Sequence, residues 1–255
     1  DSDKACAGLG LVLARQGKQA EAVGALQKAL AFNPASQEAK QGLAAAQAAG
    51  GQTEQAEETY RKALEENPAD ARAALALARI LYESRRYDEV KTLMERTLRA
   101  GADLPDVHFA LGNAHFQKGE IAQASEEYAR VLGARPEDSG ALFGSALVAL
   151  KTGKTSEAIR LLEHARNADP SNVAARRNLA ILYDEGGQDL AAIAEYLSVL
   201  SLDTAEREIR FHLGLVYART GREQEAAEQL RAYLAGGEGK FSREARRELS
   251  RLELP

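Results

Sequence analysis

The side chains in this sequence that could do chemistry are few and poorly placed for it. Gly153-Lys154-Thr155 imitates the end of a phosphate-binding loop, in which Gly-rich backbone wraps a phosphate between a strand and a helix. The earlier glycine of such a loop falls on Val148, and no strand pattern precedes it. Gly236, Gly237 and Gly239 with Lys240 fail in the same way, because Leu234 stands at the first glycine's place and Phe241 follows the lysine. His108 and His115 are seven residues apart. On one helix that is roughly 10 Å, too far to share a metal ion, and both read as packed core histidines. The doublets Glu57-Glu58, Glu65-Glu66 and Glu126-Glu127 read as solvated helix faces rather than acid/base dyads. Cys6 has no second cysteine, so a disulfide within the chain and a closed multi-cysteine zinc site are both excluded. No nucleophile, base and orienting acid assemble. The expectation is a non-enzymatic chain with no catalytic residue, no cofactor and no metal.

Composition narrows the classes further. The 255 residues carry 33 Lys+Arg against 38 Asp+Glu, a net charge of −5, and so lack the basic footprint of a phosphate-backbone binder. Nucleic acid is not the expected partner. No apolar run approaches the roughly 18 residues that span a bilayer, and no charged-then-apolar leader opens the sequence. The expectation is a soluble chain of bacterial style, Ala-rich with Arg favoured over Lys, of cytoplasm or periplasm. With 45% apolar but only 5% aromatic residues, a thin helical core fits better than one thick one.

The elements follow from an internal period. Shifting the sequence by 34 residues superposes Pro34, Pro68, Pro136 and Pro170, and windows starting at 3, 37, 71, 105, 139, 173 and 207 stay in register. Their eighth place reads Gly10, Ala44, Ala78, Gly112, Ala146, Ala180 and Gly214; their twentieth reads Ala22, Ala56, Val90, Ala124, Ala158, Ala192 and Ala226. Small residues at one place in each half let two helices approach closely as a hairpin. Between the halves stand Gly17, Gly51, Gly119, Gly153, Gly187 and Gly221, suited to a left-handed helix C-cap, with Arg85 as the exception expected to be strained or capped differently. A closing Pro stops the second helix, and Asp70, Ser139 and Ser171 lie near the next helix start.

Small residues at these places and a terminal Pro resemble the tetratricopeptide repeat, and Tyr183 and Tyr217 occupy that family's aromatic place. Leu13, Gln47, Leu81, His115 and Ala149 depart from it, and Ala102, Thr204 and Glu238 replace the Pro. The resemblance covers residues 3–240 and implies an all-α, right-handed superhelical solenoid of seven helix-turn-helix repeats: 3–36, 37–70, 71–104, 105–138, 139–172, 173–206 and 207–240. Residues 241–255 form a C-terminal capping helix, with Ala245, Leu249 and Leu252 inward and Arg243, Arg246, Arg247 and Arg251 solvated. Copy one, with Cys6, Leu9 and Leu13 facing inward, shows no equivalent cap, so the natural protein is expected to continue upstream.

The resemblance also implies that the face of each first helix not used for packing lines a concave groove. Copies one and two are bland there. Later copies give Leu75, Arg79 and Tyr82; Phe109, Asn113 and Phe116; Phe143, Leu147 and Leu150; Arg177, Asn178 and Ile181; and Phe211, His212 and Leu215. An apolar, aromatic stripe beside amide and guanidinium groups suits a partner peptide or helix. The expected function is a protein-interaction scaffold. A self-assembling homo-oligomer docking through its first copy, or the recognition arm of a larger enzyme, stand as alternatives. The Lys, Asn and Arg clamp across three successive copies by which some family members hold a chaperone's terminal carboxylate is missing, with Leu75, Phe109 and Phe143 where it would want Lys. The alternation Leu26, Tyr60, Met94, Tyr128, Leu162, Tyr196, Leu230 has no explanation at this level.

Overall fold

The computed structural model describes residues 2–252, and within them every regular element is an α-helix. The chain runs α1 (Ser2–Arg15), α2 (Gln19–Phe32), α3 (Gln37–Ala49), α4 (Thr53–Glu66), α5 (Ala71–Glu83), α6 (Tyr87–Arg99), α7 (Pro105–Gln117) and α8 (Ile121–Ala134). It continues through α9 (Ser139–Lys151), α10 (Thr155–Ala168), α11 (Val173–Glu185), α12 (Asp189–Leu202), α13 (Arg207–Arg219), α14 (Glu223–Ala235) and α15 (Ser242–Leu252). From α3 on, every odd-numbered helix up to α13 starts on the first residue of a 34-residue window. The helices gather into two compact units that part between Ala134 and Arg135.

Turn chemistry sets these boundaries. After α1 the Gly17 N–H donates to the Ala14 carbonyl and the Lys18 N–H to the Leu13 carbonyl, the paired bonds of a left-handed C-cap. Gly17, Gly51, Gly119, Gly153, Gly187 and Gly221 hold φ between 68° and 77° there. Arg85 takes the same bonds at φ 59°, the one positive-φ residue other than glycine among the described residues, and is strained as expected. Second helices end on an Asx turn: the side chains of Asn33, Asn67, Asp169 and Asp203 each accept from the backbone N–H two residues on. Ser36, Asp70, Asp138 and Asn172 then cap the next first helix. The caps are thus Asp138 and Asn172 rather than the neighbouring Ser139 and Ser171; Ser139 instead donates to the Ala165 carbonyl.

Within each unit, helices pack on their chain neighbours, and α5 also touches α7 while α13 touches α15. The small places are where backbones meet. A Cβ on Gly112 would lie 2.9 Å from the Tyr128 ring, and one on Gly214 would lie 2.9 Å from Leu230. The alternating Leu/Tyr/Met set is the buried layer facing those places: Leu26, Met94, Leu162, Tyr196 and Leu230 are wholly enclosed. In the C-terminal unit Glu195 is buried between Arg166 of α10 and Arg176 of α11, each 2.7 Å away, so one carboxylate ties three helices.

His108 and His115 are buried and partnered. His108 lies 2.5 Å from Glu127 and 2.7 Å from Asp103, and His115 lies 2.5 Å from Glu120. This corrects the reading of Glu127 as solvent-facing: its side chain turns under α7 to meet His108. No group of three or more His, Cys, Asp or Glu side chains is placed to hold a metal ion among the described residues. None of the described helices is long and apolar enough to cross a membrane.

Candidate functional site

In the N-terminal unit α5 and α7 lie side by side with α6 beneath, and the gap between their outer faces is an apolar cleft of about 370 Å³. Leu75, Ala78, Arg79, Tyr82 and Glu83 come from α5, Val90 from α6, and Asp106, Phe109, Ala110 and Asn113 from α7. The i, i+4, i+7 spacing of Leu75, Arg79 and Tyr82 brings them onto one stripe of α5, as Asp106, Phe109, Ala110 and Asn113 share one of α7. Val90 and Ala78 are buried, so the cleft's floor is the top of the unit's core.

The walls are held from behind. Phe109 is half-buried with its ring 6.1 Å from that of Tyr128, whose hydroxyl donates to Asn113 Oδ1 at 2.8 Å. That bond orients the amide, with its oxygen toward Tyr128. Tyr82 meets Tyr87 edge-to-face at 5.2 Å, and burial raises its hydroxyl pKa, against a hydrogen bond to Gln117. Arg79 sits at the exposed rim, 3.4 Å from Glu83, in a pair that is weak because both groups stay in water.

Five residues named from the sequence, Leu75, Arg79, Tyr82, Phe109 and Asn113, are therefore together in one cavity. Phe116 is half-buried on α7 outside it. Val90, Ala78, Glu83, Asp106 and Ala110 were missed. Val90 carried a signal, as the one departure from Ala at the twentieth place, but that place had been assigned to packing alone.

The C-terminal unit treats its share differently. Phe143, Leu147 and Leu150 are half-buried on α9. Phe211 is a correction: it is 1% exposed, stacked on Phe241 with ring centroids 4.5 Å apart and against Tyr233 at 5.6 Å. The capping segment covers it, so it is core and faces no partner. Leu215 packs onto the same cluster. His212 stacks on Tyr196 and touches Phe241, and burial lowers its pKa.

Arg177, Ile181 and His212 line a cavity of about 480 Å³ in which two of the arginines are engaged. Arg177 pairs with Glu206, and Arg207 donates to the carbonyls of Tyr233, Gly237 and Glu238 while lying over the Tyr233 ring. Asn178 donates to the Ala174 carbonyl of its own helix, 2.9 Å away. A third cavity, of about 450 Å³, lies over α1, α3 and α5 and includes Arg15, Glu38, Gln41 and Arg72; there Gln41 is held by Asp70. The α5–α7 cleft joins an apolar floor to aromatic walls.

A stack of two-helix hairpins closed at short range by small residues defines the class of helical-repeat scaffolds. Two models of the tetratricopeptide repeat match the chain, one over residues 13–80, 51–108 and 149–198, the other over 109–163 and 191–241. The chain belongs to the tetratricopeptide repeat family, whose members are in general non-catalytic scaffolds for protein–protein interaction.

Solved structures agree on the fold. The chain resembles the anaphase-promoting-complex hetero-tetramer Cut9–Hcn1 at TM-score 0.74 and 18% identity, covering 95% of this chain and 48% of that one. It thus spans about half the length of that relative. A tetratricopeptide repeat protein of Parabacteroides merdae matches end to end, with TM-score 0.71, 16% identity and 99% of each chain covered. YrrB, described as a tetratricopeptide repeat protein with an unusual peptide-binding site, matches at TM-score 0.53 and 19% identity over 69% of this chain and 91% of that one. No curated protein matches the sequence.

Proposed function

We propose that the chain is a non-enzymatic scaffold that holds a partner's peptide or helix in the cleft between α5 and α7, with Phe109, Leu75 and Tyr82 as the apolar contacts. The observation that carries this reading is the cleft itself, an open cavity of about 370 Å³ with a buried apolar floor and half-buried aromatic walls. Apolar area of this kind is costly to leave wet, and a partner's aliphatic or aromatic side chain inserted there is the natural anchor. Asn113 and Arg79 at the rim supply donors to a main-chain carbonyl or a carboxylate, so register comes from polar groups and energy from the floor. The peptide-binding site of YrrB supports the reading as a precedent within the fold.

Selection of random peptides on the full chain tests it. Selected peptides should bind Arg79→Ala more weakly and lose about 2 kcal/mol or more of affinity with Phe109→Ala, as a central aromatic contact does. Phe143→Ala should leave their affinity unchanged. Peptides that ignore Phe109 and Leu75 would place binding elsewhere on the chain.

A further inference from the structure

Few large apolar side chains are left in water among the described residues. Leu9 of α1 is one, which corrects the expectation that it faces inward. Leu190, Leu197 and Leu202 are three more, and they share α12, a helix with a complete hairpin on either side of it in the C-terminal unit. Leu190 is 81% and Leu197 45% exposed, with Ala194 and Ser201 exposed in line with them. Residues 190, 194, 197 and 201 alternate steps of four and three, the spacing of a coiled-coil seam, with Leu at two places and small side chains at the other two. The charged residues of α12 lie off this stripe: Asp189 pairs with Arg219, and Glu195 is buried.

The repeat itself does not ask for this stripe. At the eighteenth place of the window, where Leu190 stands, the other copies have Ala20, Glu54, Asp88, Ala122, Ser156 and Gln224. At the twenty-fifth, where Leu197 stands, they have Gln27, Arg61, Glu95, Ala129, Glu163 and Arg231. Six copies fold with polar or small residues on this face, so the leucines serve no packing within the chain, and apolar surface gathered where the fold does not use it marks an interaction site.

Charge on the neighbouring second helices says what sits there. Because the hairpins repeat, α10, α12 and α14 run in the same sense and turn the same window places outward. At the twenty-second place, that of Ala194, α10 carries Arg160 and α14 carries Glu228, both exposed and neither in an ion pair among the described residues. At the twenty-fifth, α10 carries Glu163, which accepts from the Tyr183 hydroxyl, and α14 carries Arg231. At both places the sign reverses from one side of α12 to the other. We infer that the outer face of α12 seats a second copy of this chain, with the two α12 helices parallel about a twofold axis. Rotation about an axis along α12 sets Leu190 and Leu197 against their own counterparts and brings α10 of one copy over α14 of the other. Arg160 then meets Glu228 of the second copy, and Glu163 meets Arg231 of the second copy, each twice by symmetry. Antiparallel pairing would set Arg160 on Arg160 and Glu228 on Glu228, like against like.

Sedimentation of the purified chain across concentration tests this, and should show a monomer–dimer equilibrium. Leu190→Glu should shift it to monomer while leaving the helical melt of the monomer unchanged, because the side chain it replaces is in water. Arg160→Glu alone sets Glu on Glu twice, and Glu228→Arg alone sets Arg on Arg twice, so each should weaken dimerisation about tenfold or more. Mixing the two variants should restore it, as a heterodimer in which residues 160 and 228 again face each other as Glu and Arg. An antiparallel dimer, or one formed elsewhere on the chain, gives no such rescue. A chain that stays monomeric at every concentration overturns the inference, since the occupant of the face is then something other than a second copy. So does a dimer that Leu190→Glu leaves intact, or a mixture that pairs no more tightly than either variant alone.

Discussion

Phe109, Phe143 and Phe211 hold the same place in their windows, and their surroundings separate them. Phe109 stays half-buried on a cleft wall, while Phe211 is sealed by the Phe241 ring and Tyr233. Phe211→Ala should therefore cost about 3–5 kcal/mol in urea melts, the usual effect of deleting an enclosed ring. A change within about 0.5 kcal/mol, the surface range, would mean the capping segment does not cover it. Arg85 is the converse case, a side chain where the backbone wants none. It holds φ 59° at a place where six other windows have glycine. Left-handed backbone costs an L-residue roughly 1–2 kcal/mol, and glycine gives back part of that gain as unfolded-chain entropy. Arg85→Gly should raise stability by about 0.5–1 kcal/mol in the same melts, and a loss of stability would contradict the strain.

At the scale of elements, hairpin closure depends on residues that do nothing but stay small. Gly112 faces the Tyr128 ring at a distance where even a methyl group must displace it. Tyr128 in turn orients Asn113, so the place that closes the α7–α8 hairpin also shapes the cleft. Gly112→Leu should cost about 1–3 kcal/mol or more through overpacking, read by denaturant melts. The same variant should weaken peptide binding although Gly112 does not line the cleft, because the Tyr128–Asn113 bond is disturbed. A melt indistinguishable from the parent's would mean α7 and α8 meet on other faces.

At the scale of the whole molecule, buried tyrosines are spread through both units, and they make alkaline pH a common stress. Burial pushes the hydroxyls of Tyr60 and Tyr128 in the N-terminal unit, and of Tyr183 and Tyr196 in the C-terminal unit, above the usual phenol range. Tyr183, hydrogen-bonded to Glu163, is pushed up to about 12. A group whose folded pKa is raised stabilises the fold fully below its unfolded value, near 10, and loses that contribution as pH climbs through the folded value. Stability should thus hold up to about pH 10 and fall toward pH 12. Tyrosinate absorbance should rise together with loss of helical circular dichroism. A smooth rise near pH 10 with the helices intact would show those rings to be open to water.

The sequence by itself determined the 34-residue window, the helix pairs, their small-residue contacts and the glycine turns. Each of these is local: a cap, a turn or a close helix pair is specified by residues within one window and repeats wherever the pattern repeats. It also pointed to five residues of the cleft, because one stripe of a helix is readable from spacing alone. Tertiary structure decided which repeated places stay open. Phe211 and Phe109 are equivalent in the window, but only the first lies under the capping segment. Leu9 and Leu77 are equivalent too, but Leu77 is buried in the core of its unit while Leu9 is exposed. Glu127 belongs to a charged doublet, yet it turns inward because His108 waits there. Exposure is a property of what a neighbouring element covers, and nothing within a single window records its neighbour.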